Sequence, residues 1–275
     1  MGGQACVFYG AAQFSKDVDF LVLAEMSNFA GLHAALGELE AVPIAVPRFD
    51  AKVLDRGHAV HFRCQAIGVK GLRIDVMTRL RDLPSFSLLW DRRTTIHLEG
   101  GEEIHMLSIP DLVNAKKTQR EKDWPMISAL VEGHYQAMES SPTLERIQFW
   151  LRETRISERL VALASRFPAE TQELLENRPL LALAVEGNLP ELRAALDAEV
   201  RIEQEKDRVY WEPLKREMEE FRRAERKEHM PMVYPITEAA AKWEMPILKS
   251  DAFAADFDQL DFKAIVATEE LKTQP

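Results

Sequence analysis

The chain has 275 residues, ordinary apolar and charged fractions, and a net charge of -10. That length supports one good core and a second, smaller one. No apolar run approaches the length of a membrane span and no basic-then-apolar leader opens the sequence, so a cytoplasmic protein is expected. The acidic balance weighs against a protein that grips long duplex nucleic acid by charge alone.

In chain order, residues 3–12 (GQACVFYGAA) read as a short helix opened by the Gly2-Gly3 pair. Next, SKDVDFLVLA carries a mostly apolar run of strand length through Val18, Phe20, Leu21, Val22 and Leu23. Residues 27–41 have apolar positions at helical spacing, with Ser27 as N-cap. Strands follow at 58–68 and 72–78, and their short connection over Val69-Lys70-Gly71 favours an antiparallel hairpin. A further pair at 94–98 and 103–107 flanks Gly100-Gly101, and from Ile109-Pro110-Asp111 the pattern turns helical, with a second helix near 123–135.

Beyond Pro142 no convincing strand remains. Leu, Ala, Glu and Arg recur at helical spacing, and 190–228 reads as one or two long helices interrupted near Pro213. The stretch 179–196 has the helix, Gly-Asn turn and helix of an ankyrin-like unit, but without neighbouring repeats it reads as a helical hairpin. Residues 231–275 hold several prolines, a short helix at 237–244 and an acidic, loosely held tail. The fold class expected is α+β: a small mixed β-sheet core flanked by helices over 1–140, a helical region over 141–230, and the tail over 231–275.

Chemistry concentrates in Asp17-Val18-Asp19 and Ile74-Asp75-Val76. Residues two apart on a strand share a face, so Asp17 and Asp19 project together, and Asp75 shares its face with neither apolar neighbour. If the two strands lie side by side, three carboxylates converge. Such a set repels itself unless a cation neutralises it. Mg²⁺, with Mn²⁺ as an alternative, suits carboxylate and phosphate oxygens and could clamp an in-line phosphoryl or nucleotidyl displacement. Gly2 and Gly3, without side chains, would let backbone N–H groups approach phosphates.

The glycine pair, FSKDVDFLV and LRIDVM together resemble the three-part signature of DNA polymerase β-like nucleotidyltransferases. LSIPDLVNAKKTQREKDWPMI resembles the helix pair that closes minimal bacterial members, stand-alone and toxin-type enzymes included. The resemblance spans roughly residues 2–135. It implies metal binding and catalysis by Asp17, Asp19 and Asp75, and nucleotide contact by Gly2, Gly3, Ser15 and Lys117, with Lys116 as the rival lysine. It also implies transfer of a nucleoside monophosphate from an NTP to an acceptor hydroxyl, with loss of pyrophosphate. The acceptor stays open between a small molecule, a protein side chain and an RNA end.

Two departures from the family pattern bear on activity. Gln13 stands where many relatives carry a basic residue, and relatives have an apolar strand and a helix ahead of the glycines. A start further upstream, or a domain lacking that edge, is therefore expected. The second function weighed is a binding or regulatory protein on a degenerate scaffold. A third gives the helical half a protein partner or a capping role.

Other residues carry less. Cys6 and Cys64, far apart, exclude in practice a disulfide framework or thiolate zinc site and read as small buried hydrophobes. Lys116, Lys117, Arg120 and Lys122 form a candidate basic patch. His58 and His61, three apart on a strand, point to opposite faces and make a poor chelate. Tyr9, Phe14, Trp211 and Trp243 read as packing residues, and Asp256-Phe257-Asp258 with Asp261 as a solvated tail.

Overall fold

The computed structural model describes residues 1–228 of the chain. It is mixed α/β, with two small sheets in the first half and helices throughout the second.

The four-stranded sheet has the order β1-β4-β3-β2. Strand β1 (Asp17–Leu21) runs parallel to β4 (Arg73–Met77), with Asp19 in register with Asp75. Strand β3 (Val60–Arg63) is antiparallel to β4, as the short connection predicts, and β2 (Val42–Pro43) is antiparallel to β3. A parallel pair needs a crossover, and the chain between β1 and β4 contains α2 (Met26–Glu38) and α3 (Ala51–Asp55). Period-two alternation then sorts the side chains. Val60, Phe62, Ile74 and Val76 turn to one face, where Phe29 and Leu36 of α2 and Leu54 of α3 bury them. The residues of opposite parity, Asp17, Asp19, His61, Arg73 and Asp75, take the other face.

The expected Ser27 cap does not form. Helix α2 starts at Met26 with Glu25 as its N-cap, and the Asn28 side chain donates back to the Leu23 carbonyl at 2.8 Å. After α4 (Phe86–Asp91), strands β5 (Thr94–His97) and β6 (Glu103–Met106) make the anticipated hairpin, with Gly101 at a φ of 87°. Helix α1 (Gly2–Phe8) packs against β1 and α5 (Ile109–Ala115), and α6 (Asp123–Met138) lies against α5.

The helical half comprises α7 (Leu144–Glu153), α8 (Ser157–Arg166), α9 (Pro168–Leu174), α10 (Leu181–Glu186) and α11 (Leu189–Glu228). It does not stand on a core of its own. One buried cluster runs from Ala5 and Cys6 of α1 and the adjoining Tyr9 through Leu112 and Ile127 to Trp150, Leu160, Leu181 and Leu192. The 179–196 stretch is a helical hairpin, α10 ending at Gly187 in the left-handed region with a φ of 71°.

The interruption expected at Pro213 is absent: α11 is a single helix of 40 residues. A proline inside a helix removes one backbone hydrogen bond and costs about 3 kcal/mol. Contacts on both sides of it hold α11 straight against the first half. Before Pro213, the buried Asp207 accepts from the Gln119 backbone N–H at 2.9 Å and pairs with Arg81 at 3.4 Å. After it, Glu217 pairs with Arg56 at 2.9 Å and with the buried His58 at 2.6 Å, and Phe221 lies edge-on to that imidazole.

Among the described residues no helix is long and apolar enough to cross a membrane. The short helix at 237–244, Trp243, the Asp256–Asp261 acidic motif and the rest of the tail lie outside the described residues.

Candidate functional site

The sheet face opposite α2 and α3 carries the three aspartates. Asp17 and Asp19 come from β1, and Asp75 stands beside Asp19 on the parallel neighbour. Asp19 is the most enclosed of them electrostatically. Burial, then the negative charge of Asp75, push its carboxyl above the ordinary value.

The glycine pair closes onto this carboxylate. The Gly3 N–H donates to Asp19 Oδ2 at 3.3 Å. A Cβ at Gly2, whose φ is 73°, would lie 1.9 Å from Asp19 Oδ2, and one at Gly3 would lie 2.4 Å from Ser15 Oγ. A side chain at Gly2 would have to push the Asp19 carboxylate aside, at a φ that only glycine adopts without strain, and one at Gly3 would have to displace the Ser15 hydroxyl. Ser15 in turn donates its hydroxyl to the Asp17 carbonyl at 3.0 Å, and Gln4 Nε2 donates to the Ser15 carbonyl at 3.2 Å. Gln13 and Phe14 are exposed nearby, whereas Tyr9 is buried and donates its hydroxyl to the Leu107 carbonyl at 2.9 Å.

Two residues of this face escape a reading based on carboxylate spacing alone. Arg73 grips Asp75 with both prongs, Nε to Oδ1 at 2.8 Å and Nη2 to Oδ2 at 3.0 Å. His61, opposite Asp75 across the hairpin, places Nδ1 2.8 Å from the same Oδ1. Burial pushes the Asp75 carboxyl up, but the bonds and charge of His61 and Arg73 outweigh it and hold the group below its ordinary value. His58 lies ahead of β3 rather than in a strand shared with His61, so strand alternation does not apply to it, and it docks α11 through Glu217.

The lysines separate. Lys117 turns to the helical half and donates to Glu153 Oε1 at 2.8 Å. Lys116 is buried beside Asp123, Nζ to Oδ1 at 3.2 Å, and its charge is felt at Asp19 and Cys6. Asp123 also accepts from Thr118 at 2.6 Å and Arg120 at 2.8 Å, so burial is outweighed and its carboxyl is held low. The candidate basic patch is therefore largely internal ion pairing, with Lys122 exposed beside it. Cys6 and Cys64 are both fully buried, and burial lifts the Cys6 thiol to about 11.

For a divalent cation the donors are suitable in type, three hard carboxylates on one face of the sheet. Their readiness is incomplete. Arg73 and His61 engage the oxygens of Asp75, and among the described residues no three His, Cys, Asp or Glu side chains stand arranged as a metal-ligand set. No family model, curated protein or solved structure matches the chain.

Proposed function

We propose that the chain is a nucleotidyltransferase that moves a nucleoside monophosphate from an NTP to an acceptor hydroxyl and releases pyrophosphate. The observation that carries this is the single sheet face that Asp17, Asp19 and Asp75 share, with Gly2 and Gly3 pressed against Asp19 and Ser15. Asp17, Asp19 and Asp75 would hold Mg²⁺ or Mn²⁺. When bound, such an ion neutralises phosphate charge and stabilises the charge that develops on the attacking and leaving oxygens.

The chain's own residues divide the remaining work. One carboxylate of the set takes the proton of the acceptor hydroxyl as its oxygen bonds to the α-phosphorus and the bond to pyrophosphate breaks. Gly2, Gly3 and Ser15 line the edge where the phosphates would lie. Lys116, paired with Asp123, and Lys117, paired with Glu153, are both committed, and only the charge of Lys116 reaches Asp19. The acceptor's class is left open by these residues.

The second reading, a binding or regulatory protein on a degenerate scaffold, draws on the grip of Arg73 on Asp75 and on Gln13 in place of a basic residue. Calorimetric titration of each Mg²⁺–NTP pair against wild type and an Asp17→Asn/Asp19→Asn variant separates the two. The enzyme reading expects saturable binding that the variant loses, followed by pyrophosphate release once an acceptor is supplied. A folded wild type that binds no Mg²⁺–NTP pair would leave the degenerate scaffold.

A further inference from the structure

We infer that the sheet face beyond the carboxylates, over β4 and β3, seats the acceptor, and that the acceptor is a small phosphorylated molecule whose phosphate is held by Arg63 and Arg73. This rests on the nucleotidyltransferase reading above and adds to it the acceptor's class and the side from which it approaches.

Register and parity lay this face out in two rows. One runs Asp17, Arg73, Arg63 and Val42 across β1, β4, β3 and β2, and the next runs Asp19, Asp75, His61 and Ile44. Phe62, Ile74 and Val76, of the other parity, turn to α2 and α3, so the two rows face away from both helices. Acid therefore lies toward β1 and base toward β3. Neighbouring strands are about 4.8 Å apart, which puts about 10 Å between the backbones of Asp17 and Arg63. The glycines press on the β1 side, against Asp19 and Ser15. In-line displacement sets the attacking and leaving oxygens on opposite sides of the α-phosphorus. With pyrophosphate leaving at the glycine edge, the acceptor hydroxyl arrives from the β4–β3 side. Its oxygen bonds to phosphorus, its proton passes to a carboxylate, and the bond to pyrophosphate breaks.

The cations on that side have donors to spare. Arg63 is exposed, and among the described residues its side chain makes no hydrogen bond or ion pair. Arg73 spends Nε and Nη2 on Asp75, which leaves Nη1 of a side chain that is 37% exposed. Two arginines directly opposite each other on neighbouring strands repel. A phosphate between them relieves that repulsion and matches the guanidinium fork. Val42, exposed, and Ile44, half-buried, offer apolar surface beside the pair to the body of the acceptor. A run of phosphates fits less well, because the patch is two arginines wide and the chain carries a net charge of -10.

The test is a ³¹P NMR titration of ribose 5-phosphate against the full chain, with and without a saturating α,β-non-hydrolysable analogue of the NTP that calorimetry selects. Wild type and Arg63→Gln are compared, and thermal unfolding establishes that the variant is folded. Wild type should bind the sugar phosphate with an affinity that the analogue changes by about twofold or less, since the two sit on opposite sides of the carboxylates. Arg63→Gln should bind it about tenfold more weakly. Ribose, followed by its ¹H signals, should not bind. Should the variant not fold, Arg63→Lys, which keeps the charge and gives up the fork, should lose about threefold. Three outcomes overturn the acceptor seat alone: no sugar phosphate bound by a wild type that binds NTP, equal binding by the folded variant, or displacement of the sugar phosphate by the analogue. Tighter binding of tetraadenylate than of ribose 5-phosphate replaces the small acceptor with an RNA end. Binding of the sugar phosphate without binding of any NTP overturns the nucleotidyltransferase reading, and the acceptor's role with it.

Discussion

Around Trp150 in the helical half, polar groups are buried in matched sets. Trp150 donates its indole N–H to His134 Nδ1 at 2.9 Å. Arg178 donates to the carbonyls of Leu151 at 2.6 Å and Thr154 at 3.1 Å, and to both oxygens of Glu199. The carboxylate face of the four-stranded sheet does the reverse. There Asp19 and Asp75 bear like charges side by side, and one exposed arginine compensates. Both regions concentrate polar atoms, but in the first most of them are paired, Glu153 Oε2 and Arg155 Nε being the exceptions. Satisfied groups fix a shape, whereas groups held in mutual repulsion favour whatever ligand relieves it.

The comparison breaks most visibly at Trp150. It is fully buried and edge-on to Tyr135 at 5.1 Å between centroids. Trp150→Ala should therefore cost about 3–5 kcal/mol of unfolding free energy in urea titration. A loss below about 1 kcal/mol would mean the helical core is not the principal support of the fold.

Next in size is an acid window set by His134. Burial, aided by the charge of Arg146, lowers its pKa from 6.5 to about 4. The unfolded imidazole protonates near pH 6.5 and the folded one only near pH 4, so between those values the unfolded state binds more protons. Stability is then complete above pH 6.5 and falls by about 3 kcal/mol on the way to pH 4. His134→Asn keeps an acceptor for Trp150 and removes the titration, so its stability should fall less steeply across that range. Identical slopes for the two proteins would sink this attribution.

The smallest effect has the opposite sign and sharpens the contrast. In metal-free buffer Asp19→Asn should raise the melting temperature slightly, since burial and then Asp75 disfavour the charge it removes. An asparagine also keeps an oxygen for the Gly3 N–H. A residue that stabilises the protein when neutralised, and that is proposed to hold the ion, would mark a site held at the expense of the fold. A clear drop in melting temperature would place Asp19 with the structural residues instead.

Much of the first half was legible because its strands alternate cleanly. RIDVM puts Asp75 on the face opposite Ile74 and Val76, and DVD pairs Asp17 with Asp19, as the register shows. Strand β2, of two residues, and helices α3 and α4, of five and six, are shorter than a readable period and left no signal. Arg73 was within reach, two places from Asp75 on the same face, but His61 was not: counting outward symmetrically from the Val69–Gly71 turn pairs Asp75 with Gln65, whereas the register centres on Gly68 and pairs it with His61. Nor was the choice between Lys116 and Lys117. Both follow the last residue of α5, where no helical face orients them, and only the tertiary partners Asp123 and Glu153 tell them apart. Pro213 was misjudged for a related reason: local propensity favours a break, and anchors at Asp207 and Glu217 override it.

The long helix also sets a schedule for the chain's synthesis. Arg56, His58 and Arg81 emerge early, yet their partners Glu203, Asp207 and Glu217 are made last among the described residues. At about 5–20 residues per second, the finished sheet waits on the order of ten seconds for the segment that braces it. During that interval the nascent first half exposes to chaperones and proteases a surface that the completed molecule keeps covered.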